Sequence, residues 1–360
     1  MNILEALKEV EEPRKKIKNI KYPLEEILFM CLSGLMSGCR SWEQIAEWGE
    51  TRLEWLKKFY SYENGICSED TLMRVFRLIN FRQFAECFAV WVNSIVKVSE
   101  QIALDGKYLN GNSKIGMIHA YDIDTSTLLN ITDIEGKGHE IEGLKSLIPL
   151  ITNRKALISI DSLGCQREII ELIIKNKSDY LIQVKGNQGN LHEDIKYYCA
   201  ENREKTTYAI EVEKDNGRVC ERECRVYTNV EWLNARNEGF KIKSFMHTIR
   251  TRYEGGKITR QEAYHISSKV ESGDYFLEKI RNHWHIENKL HWVLDVIFDE
   301  DNNKTYDKNQ AKNLALMLRI AVSLVKRQAA DDKKPISKTL FKNLLEPDRI
   351  NYFFSTRNNN

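Results

Sequence analysis

Two aspartates in this 360-residue chain have neighbours that suit metal-dependent chemistry. Asp105 follows the apolar run 102–104, and Asp161 follows the apolar run 157–160. Each is therefore expected at the end of a short strand, and if the two strands are neighbours the carboxylates lie side by side. Two such negative charges repel each other unless a cation neutralises them. The alternative, for either residue alone, is that it caps the turn or helix that follows.

Glu287 is a third acidic residue of interest, within a helix predicted over residues 273–298. At about 100° per residue, large apolar side chains fall on the same face of that helix. They are Phe276, Ile280, Trp284, Leu290, Leu294 and Phe298. An ionised, unpaired carboxylate inside a buried stripe costs free energy on the order of several kcal/mol. Glu287 is therefore expected to have a partner, either a metal ion or one of the flanking histidines, His283 and His291.

Three carboxylates from two strand ends and one helix are the ligands that two-metal phosphoryl transfer requires. Oxygen ligands hold two hard cations about 3.5–4 Å apart, where one activates the attacking hydroxyl and the other stabilises the leaving oxygen. The residues therefore predict a site for two Mg²⁺ ions, with Mn²⁺ as a substitute. Asp105, Asp161 and Glu287 are the predicted ligands.

The elements that must position these residues follow from hydrophobic periodicity. Residues 1–98 have apolar residues at helical spacing and predict an N-terminal helical domain. Residues 99–204 read as three strands, then helix, strand, helix, strand and a further helix, which implies partly parallel pairing in a helix-covered sheet. Residues 205–270 predict a β-strand insertion with Gly-containing turns. Helices return over 271–330, which completes the predicted core, and a tail is expected over 331–360.

Composition limits the classes of protein further. The 54 basic and 52 acidic residues nearly balance, so only local clusters favour nucleic acid. Such clusters occur at residues 14–21 and 326–334, although solvated faces and tails explain them equally well. No stretch approaches the roughly 20 apolar residues of a membrane span, and the charged start does not resemble a signal peptide. We therefore expect a soluble intracellular protein whose eight scattered cysteines are reduced, mostly buried thiols.

Four motifs resemble those of the ISAs1-type transposases, the group of the H-repeat-associated proteins within the insertion-sequence-4-like DDE transposases. They are LDGK at 104–107, IDSLGCQ at 160–166, YLIQVKGNQ at 180–188 and RNHWHIENKLHWVLD at 281–295. The likeness covers nearly the whole chain, beginning with SWEQIAEW at 41–48 in the N-terminal region. The last motif is the most specific of them.

The resemblance implies an α/β fold, with a ribonuclease-H-like mixed sheet, flanking helices and a β-rich insertion before the last catalytic helix. It also implies catalysis by Asp105, Asp161 and Glu287 with two magnesium ions. The substrates would be double-stranded DNA, both the terminal inverted repeats of an element and its target. A homodimer that pairs two ends and a bacterial cytoplasmic, nucleoid-associated location are further expectations.

The chain departs from the signature of the wider group near the glutamate. That signature would place Tyr, Arg and Lys where this chain has Ile280, His283 and Leu294, so only Glu287 matches. The ISAs1-type pattern instead has an arginine six residues before the glutamate, which is Arg281 here.

Basic, polar and aromatic residues near the motifs are predicted to contact DNA. They are Lys107, Lys185, Gln188, Arg281, His283, Trp284, Asn288, Arg74 and Arg77. Arg74 and Arg77 lie on the second of two helices that could read DNA or simply pack as a bundle. Residues 185–188 could equally form a β-to-α turn, and an aromatic residue such as Trp284 more often belongs to a core.

Two other functions fit the same residues. One is a transposase-derived DNA-binding protein that no longer cleaves DNA, which would bind repeat DNA without nicking it. The other is a structure-selective nuclease, whose cleavage would ignore the terminal sequence. The presence of all three carboxylates favours an active transposase, which hydrolyses phosphodiesters at element ends and joins the 3′ hydroxyl to target DNA.

Overall fold

The structure is a computed structural model of the chain. It describes residues 2–14, 20–96, 99–109, 115–136, 138–151, 155–202, 207–215 and 218–354. Three lysines of the first basic cluster, Lys15, Lys16 and Lys18, therefore lie outside the described residues.

Helices make up the N-terminal region. They are α1 (Ile3–Lys8), α2 (Leu24–Met36), α3 (Trp42–Thr51), α4 (Leu53–Leu56), α5 (Glu69–Leu78) and α6 (Phe81–Ile95). Nearly every residue of α2 is buried, because this segment is apolar on all sides and so packs at the centre of the group. The start of α3 is fixed by Ser41, whose side chain accepts a hydrogen bond from the backbone N–H of Gln44.

Nine strands form one mixed sheet. They are β1 (Gln101–Tyr108), β2 (Gly116–Asp122), β3 (Thr127–Ile134), β4 (Leu157–Ile160), β5 (Asp179–Val184), β6 (Thr207–Asp215), β7 (Arg218–Tyr227), β8 (Ser244–Glu254) and β9 (Lys257–Ser267). The spatial order is β3-β2-β1-β4-β5-β9-β8-β7-β6. Parallel pairing joins β1 to β4 and β4 to β5, and the other neighbours are antiparallel.

This topology confirms the predicted α/β class and the ribonuclease-H-like mixed sheet. The strands predicted as an insertion are β6 to β9, and they extend the same sheet because β9 pairs along β5. Flanking helices are α7 (Glu140–Leu147), α8 (Arg167–Lys175), α9 (Gly189–Glu201), α10 (Glu231–Arg236), α11 (Gly273–His283), α12 (Lys308–Asp331) and α13 (Ile336–Leu345).

The long helix α12 joins the N-terminal helices to the sheet. It packs against α2, α5 and α6 on one side and against β3 on another. The side-chain amide of Asn313 donates to the backbone carbonyls of Phe76 and Ile79, at 2.8 and 2.9 Å, which satisfies carbonyls at the end of α5. A continuous apolar core consequently runs from Ile3 to Phe354.

The segment predicted as one α-helix over 273–298 changes its winding. It is α-helical to His283 and then forms two π-helical stretches, Ile286–His291 and Val293–Ile297. In the first, the N–H of Trp292 bonds to the carbonyl of Glu287, five residues back. A helical-wheel projection at 100° per residue therefore assigns side chains beyond residue 285 to the wrong face of the helix.

Among the described helices, none combines the length and the apolar character that crossing a membrane requires. All eight cysteines are free thiols, seven of them buried, as the sequence predicted.

Candidate active site

Asp105 and Asp161 lie level with each other on neighbouring parallel strands. The register pairs Leu104 of β1 with Ile160 of β4, and each aspartate is the next residue. Since adjacent strands are about 4.8 Å apart, the two carboxylates extend from adjacent positions at one edge of the sheet. Asp161 also accepts a hydrogen bond from the N–H of Leu163 at 3.0 Å. Asp161 thus both caps the turn that follows it and lies beside Asp105.

Glu287 lies in the first π-helical stretch, and its side chain is exposed rather than buried. The prediction of a carboxylate inside an apolar stripe was wrong, because the wider turn rotates this position toward a cavity. Neither flanking histidine pairs with it. The Nδ1 atom of His283 lies 3.1 Å from the hydroxyl of Ser159, and His291 points toward Asp105 and His119.

The three carboxylates interact electrostatically. Burial, followed by the charges of Glu287 and Asp161, raises the pKa of Asp105 to about 7. Burial also raises the pKa of Asp161, against the opposing effects of the Leu163 N–H and the Lys185 ammonium. The pKa of Glu287 is raised by partial burial and by the charge of Asp161. Neighbouring carboxylates thus raise the pKa of Asp105 and of Glu287, and together with Asp161 they form an anionic centre that a cation would stabilise.

The donor set fits magnesium in its chemistry, since carboxylate oxygens are the ligands that hard divalent cations prefer. In the described part of the chain, however, no group of three or more His, Cys, Asp or Glu side chains is gathered closely enough to hold a metal ion. The carboxylates would have to draw together around a cation. Glu287, exposed and on a π-helical turn, has the most room to move.

A cavity of about 820 Å³ adjoins this centre, and its lining comes from α11, the segment that follows it, and strands β4, β5, β9, β8 and β7. Asp161 and Glu287 line its wall together with four cationic side chains, which are those of Lys185, Arg222, Arg250 and Arg281. Glu223 and Glu262 also line the wall, and the four cations there suit a phosphate-bearing substrate.

Comparisons with known proteins identify the family. The family model described as "Transposase DDE domain" matches residues 99–324, which include all three carboxylates. The chain belongs to the DDE transposase family. The model described as "DDE_Tnp_1-associated" matches residues 4–92, the region of the N-terminal helices.

Named relatives agree with this family. The chain is 31% identical to "Putative transposase YncI" of Escherichia coli O157:H7, over 90% of this chain and 87% of that protein. It is 33% identical to "H repeat-associated putative transposase YhhI" of Escherichia coli K12, over 85% of each chain. A shorter match, 39% identical over 16% of this chain and 67% of the relative, is with "Inactive transposase YbfQ" of the same strain.

In this family member, five residues predicted to contact DNA line the cavity, and four of them face it with exposed or partly exposed side chains. Trp284 is 55% exposed, so the alternative that it belongs to the core was wrong. Lys185 and Asn288 are exposed there as well. Arg281 lies on the same wall and forms an ion pair with Glu211 of β6. These side chains are available to a ligand in the cavity.

Lys107, Gln188 and the fifth cavity residue, His283, are engaged within the protein. Lys107 is buried, and its ammonium lies 2.5 Å from Asp295 and 3.7 Å from Asp301. The side-chain amide of Gln188 donates to the carbonyl of Cys165 at 2.8 Å. Burial lowers the pKa of His283 to about 4, so this histidine is neutral and bonded to Ser159. These interactions hold the three side chains within the protein, and their contact with DNA stays a prediction.

Arg74 and Arg77 both lie on the exposed face of α5, away from the carboxylates. Arg74 bonds to the Thr71 hydroxyl at 3.1 Å and lines a small cavity with Arg14 and Lys21. The opposite face of α5 packs in the core. The arrangement combines packing with an exposed basic face, so both alternatives for this helix stay open.

One basic side chain points inward instead of forming a surface cluster. The ammonium of Lys326 donates to the hydroxyl of Tyr121 at 2.6 Å, and burial lowers its pKa to about 7. Of the two alternatives for the cluster at 326–334, the solvated face therefore does not apply to Lys326.

Sequence reasoning missed several residues of the site. Arg222 and Arg250 belong to strands predicted only as an insertion, and the extended sheet brings them to the cavity. Two fully buried residues were also missed, His119 beside Asp105 and Arg319, which contacts His119. Each is a polar residue inside an apolar run, at MIHAY and LMLRIAV, and that pattern was a usable signal.

Proposed function

We propose that this family member is an active DNA transposase, in which Asp105, Asp161 and Glu287 form the catalytic centre. The observation that carries the proposal is the register of β1 and β4, which sets Asp105 and Asp161 level with each other, while the charge of Glu287 raises the pKa of Asp105. Such a trio is stable in its ionised form only with a cation, as metal-dependent phosphoryl transfer requires.

The reaction has two steps at each element end. In the first, water attacks the phosphorus, the bond to the 3′ oxygen breaks, and a free 3′ hydroxyl is released. In the second, that hydroxyl attacks a phosphodiester of target DNA, forms a new phosphorus–oxygen bond and displaces the target's own 3′ oxygen. Positioning and charge neutralisation supply most of the acceleration in such reactions.

Two magnesium ions, held by Asp105, Asp161 and Glu287, would activate the attacking oxygen and stabilise the leaving oxygen when bound. The cavity beside the carboxylates would receive the strand end. Lys185, Arg222, Arg250 and Arg281 would bind its phosphates, and the exposed indole of Trp284 would stack on a base. Pairing of two ends would involve a homodimer on DNA.

Element ends provide the test of this proposal. The DNA that flanks the gene should contain short inverted repeats, and duplexes that carry them should be nicked in Mg²⁺ or Mn²⁺ to give 3′ hydroxyl ends that join to a plasmid. Duplexes with scrambled ends are the control. Binding of the repeats without nicking would support the non-catalytic DNA-binding protein, and nicking that ignores the repeat sequence would support the structure-selective nuclease.

A further inference from the structure

A buried chain of polar side chains leads from α12 to Asp105. Arg319 is fully buried and forms a two-point ion pair with Glu300, with Nη1–Oε1 and Nη2–Oε2 distances of 2.5 and 3.2 Å. The Nε atom of Arg319 lies 2.8 Å from Nε2 of His119. The Nδ1 atom of His119 lies 3.2 Å from Nε2 of His291, and Nδ1 of His291 lies 3.6 Å from Oδ2 of Asp105.

The elements of the fold explain why these groups meet. His119 of β2 is the register partner of Asp105 of β1, so the two residues sit side by side in the sheet. His291 ends the π-helical stretch that carries Glu287. Asp299 adopts a left-handed backbone conformation, with φ of 58°, at the turn that directs Glu300 into the interior.

The directions of the hydrogen bonds follow from the chemistry of arginine. Arginine carries donors only, so Nε2 of His119 must accept from Arg319 and has no proton. A neutral imidazole has one N–H, which for His119 is then on Nδ1 and donates to Nε2 of His291. His291 in turn must carry its proton on Nδ1, the atom that faces Asp105.

We propose that Glu300, Arg319 and His119 are positioning residues, which hold His291 in the Nδ1–H tautomer with that N–H directed at Oδ2 of Asp105. The other oxygen, Oδ1, accepts the backbone N–H of Gly106 at 2.8 Å. Oδ1 is thereby held by a hydrogen bond, and Oδ2 faces the N–H of His291. The catalytic consequence rests on the proposed function of Asp105, whereas the tautomer itself does not.

The hydrogen-bond directions alone make the ring of His291 neutral, because its Nε2 accepts from Nδ1–H of His119 and so has no proton. A neutral donor orients the carboxylate without cancelling its negative charge, which stays available to a cation. The 3.6 Å separation is longer than a hydrogen bond, and a small movement as the site closes on substrate would complete it.

Nitrogen NMR of the unmodified protein tests the tautomers directly. With ¹⁵N-labelled histidine, both His119 and His291 are expected to show a protonated Nδ1 and an unprotonated Nε2 near neutral pH. His192→Gln, on α9 outside this chain of contacts, is the control and should leave both signals in place. A protonated Nε2 on His291, or a doubly protonated ring on either residue, would overturn the proposal.

Two amide substitutions at His291 test the consequence for the site. His291→Asn keeps an N–H donor near the position of Nδ1, whereas His291→Gln places its amide near the position of Nε2. Loss of an outer-shell partner typically lowers activity about 10–100-fold, so His291→Gln should fall by that factor and His291→Asn should recover most of it. Equal cleavage rates for the two folded variants would contradict the role in positioning.

The proposed catalytic centre and the proposed histidine tautomers can be disproved separately. If carboxylate variants retain cleavage activity, the proposed catalytic centre is wrong. The histidine tautomers are still tested independently, by NMR. If the tautomers are wrong but the carboxylates are essential, only the positioning role of His119, Arg319 and Glu300 is lost.

Discussion

At the scale of single residues, Asp105 is where most of the interactions in the site converge. It borders Asp161 across the sheet, experiences the charge of Glu287, and has His291 opposite one of its oxygens. Its pKa of about 7 means that, near neutral pH, the metal-free protein holds this carboxyl partly protonated. The same repulsion would favour binding of a cation.

A pH dependence of stability follows from that raised pKa. Since the unfolded aspartate titrates near 3.9, the folded protein binds more protons than the unfolded chain between about pH 4 and 7, and stability falls as pH rises through that window. In EDTA, Asp105→Asn should therefore gain thermal stability relative to the unmodified protein between pH 5 and 8. Differential scanning calorimetry measures this. A constant difference in melting temperature across these pH values would contradict the raised pKa.

Lys107 is buried and ion-paired, whereas Lys185 is exposed at the cavity, so the same substitution should affect them differently. Lys107→Met should lower the free energy of unfolding by roughly 1–3 kcal/mol, because it leaves Asp295 and Asp301 without their shared cation. Lys185→Met should change stability by less than about 0.5 kcal/mol and reduce the salt dependence of DNA binding by about one phosphate contact. Urea denaturation and binding titrations at several salt concentrations measure these effects. Weaker binding from both with unchanged stability would contradict the assignment of Lys107 to the interior.

At the scale of elements, alternation and turn signals were enough to predict the strands, and helical periodicity predicted most helices. The π-helical stretches after residue 285 could not be predicted, because an apolar repeat does not distinguish an i+4 from an i+5 hydrogen bond. That error reversed the expected burial of Glu287. The chain from Arg319 to His119 joins residues 200 positions apart, which no local pattern specifies.

The exposed aromatic side chains of this helical segment give a matched test. Trp284 and Trp292 are 55% and 53% exposed, yet only Trp284 is among the residues that line the cavity. Trp284→Ala should weaken binding of strand ends by about 1–3 kcal/mol through lost base stacking, while Trp292→Ala should not. Fluorescence anisotropy with end-containing DNA measures this. Equal losses of DNA affinity for the two variants would contradict stacking of a base on Trp284 in the cavity.

At the scale of the whole molecule, α12 ties the N-terminal helices to the sheet. Its buried face contacts α2, α5 and α6, and the amide of Asn313 bonds to the end of α5. The sequence predicted residues 1–98 as a domain of their own, from their uniformly helical pattern. The packing of these N-terminal helices depends on α12, which lies more than 200 residues further along the chain. A local helical pattern cannot show such a contact.

Removal of residues 1–98 should therefore prevent independent folding of the remainder. The truncated chain would expose the apolar face of α12 that now contacts α2, α5 and α6, and large exposed apolar patches promote aggregation. Calorimetry and size-exclusion chromatography should show no cooperative unfolding transition and a large aggregated fraction. A monomeric truncated protein with a sharp transition would contradict a shared core.

The proposed active site is tested most directly by metal-dependent cleavage of end-containing DNA with single carboxylate variants. Asp105→Asn, Asp161→Asn and Glu287→Gln should each lower the cleavage rate at least about 1,000-fold, because each removes a charge that holds the cations of phosphoryl transfer. Glu193→Gln, an exposed position on α9, is the matched control and should cleave normally. Cleavage within about tenfold of the unmodified rate, by any of the three folded variants, would contradict the proposed active site.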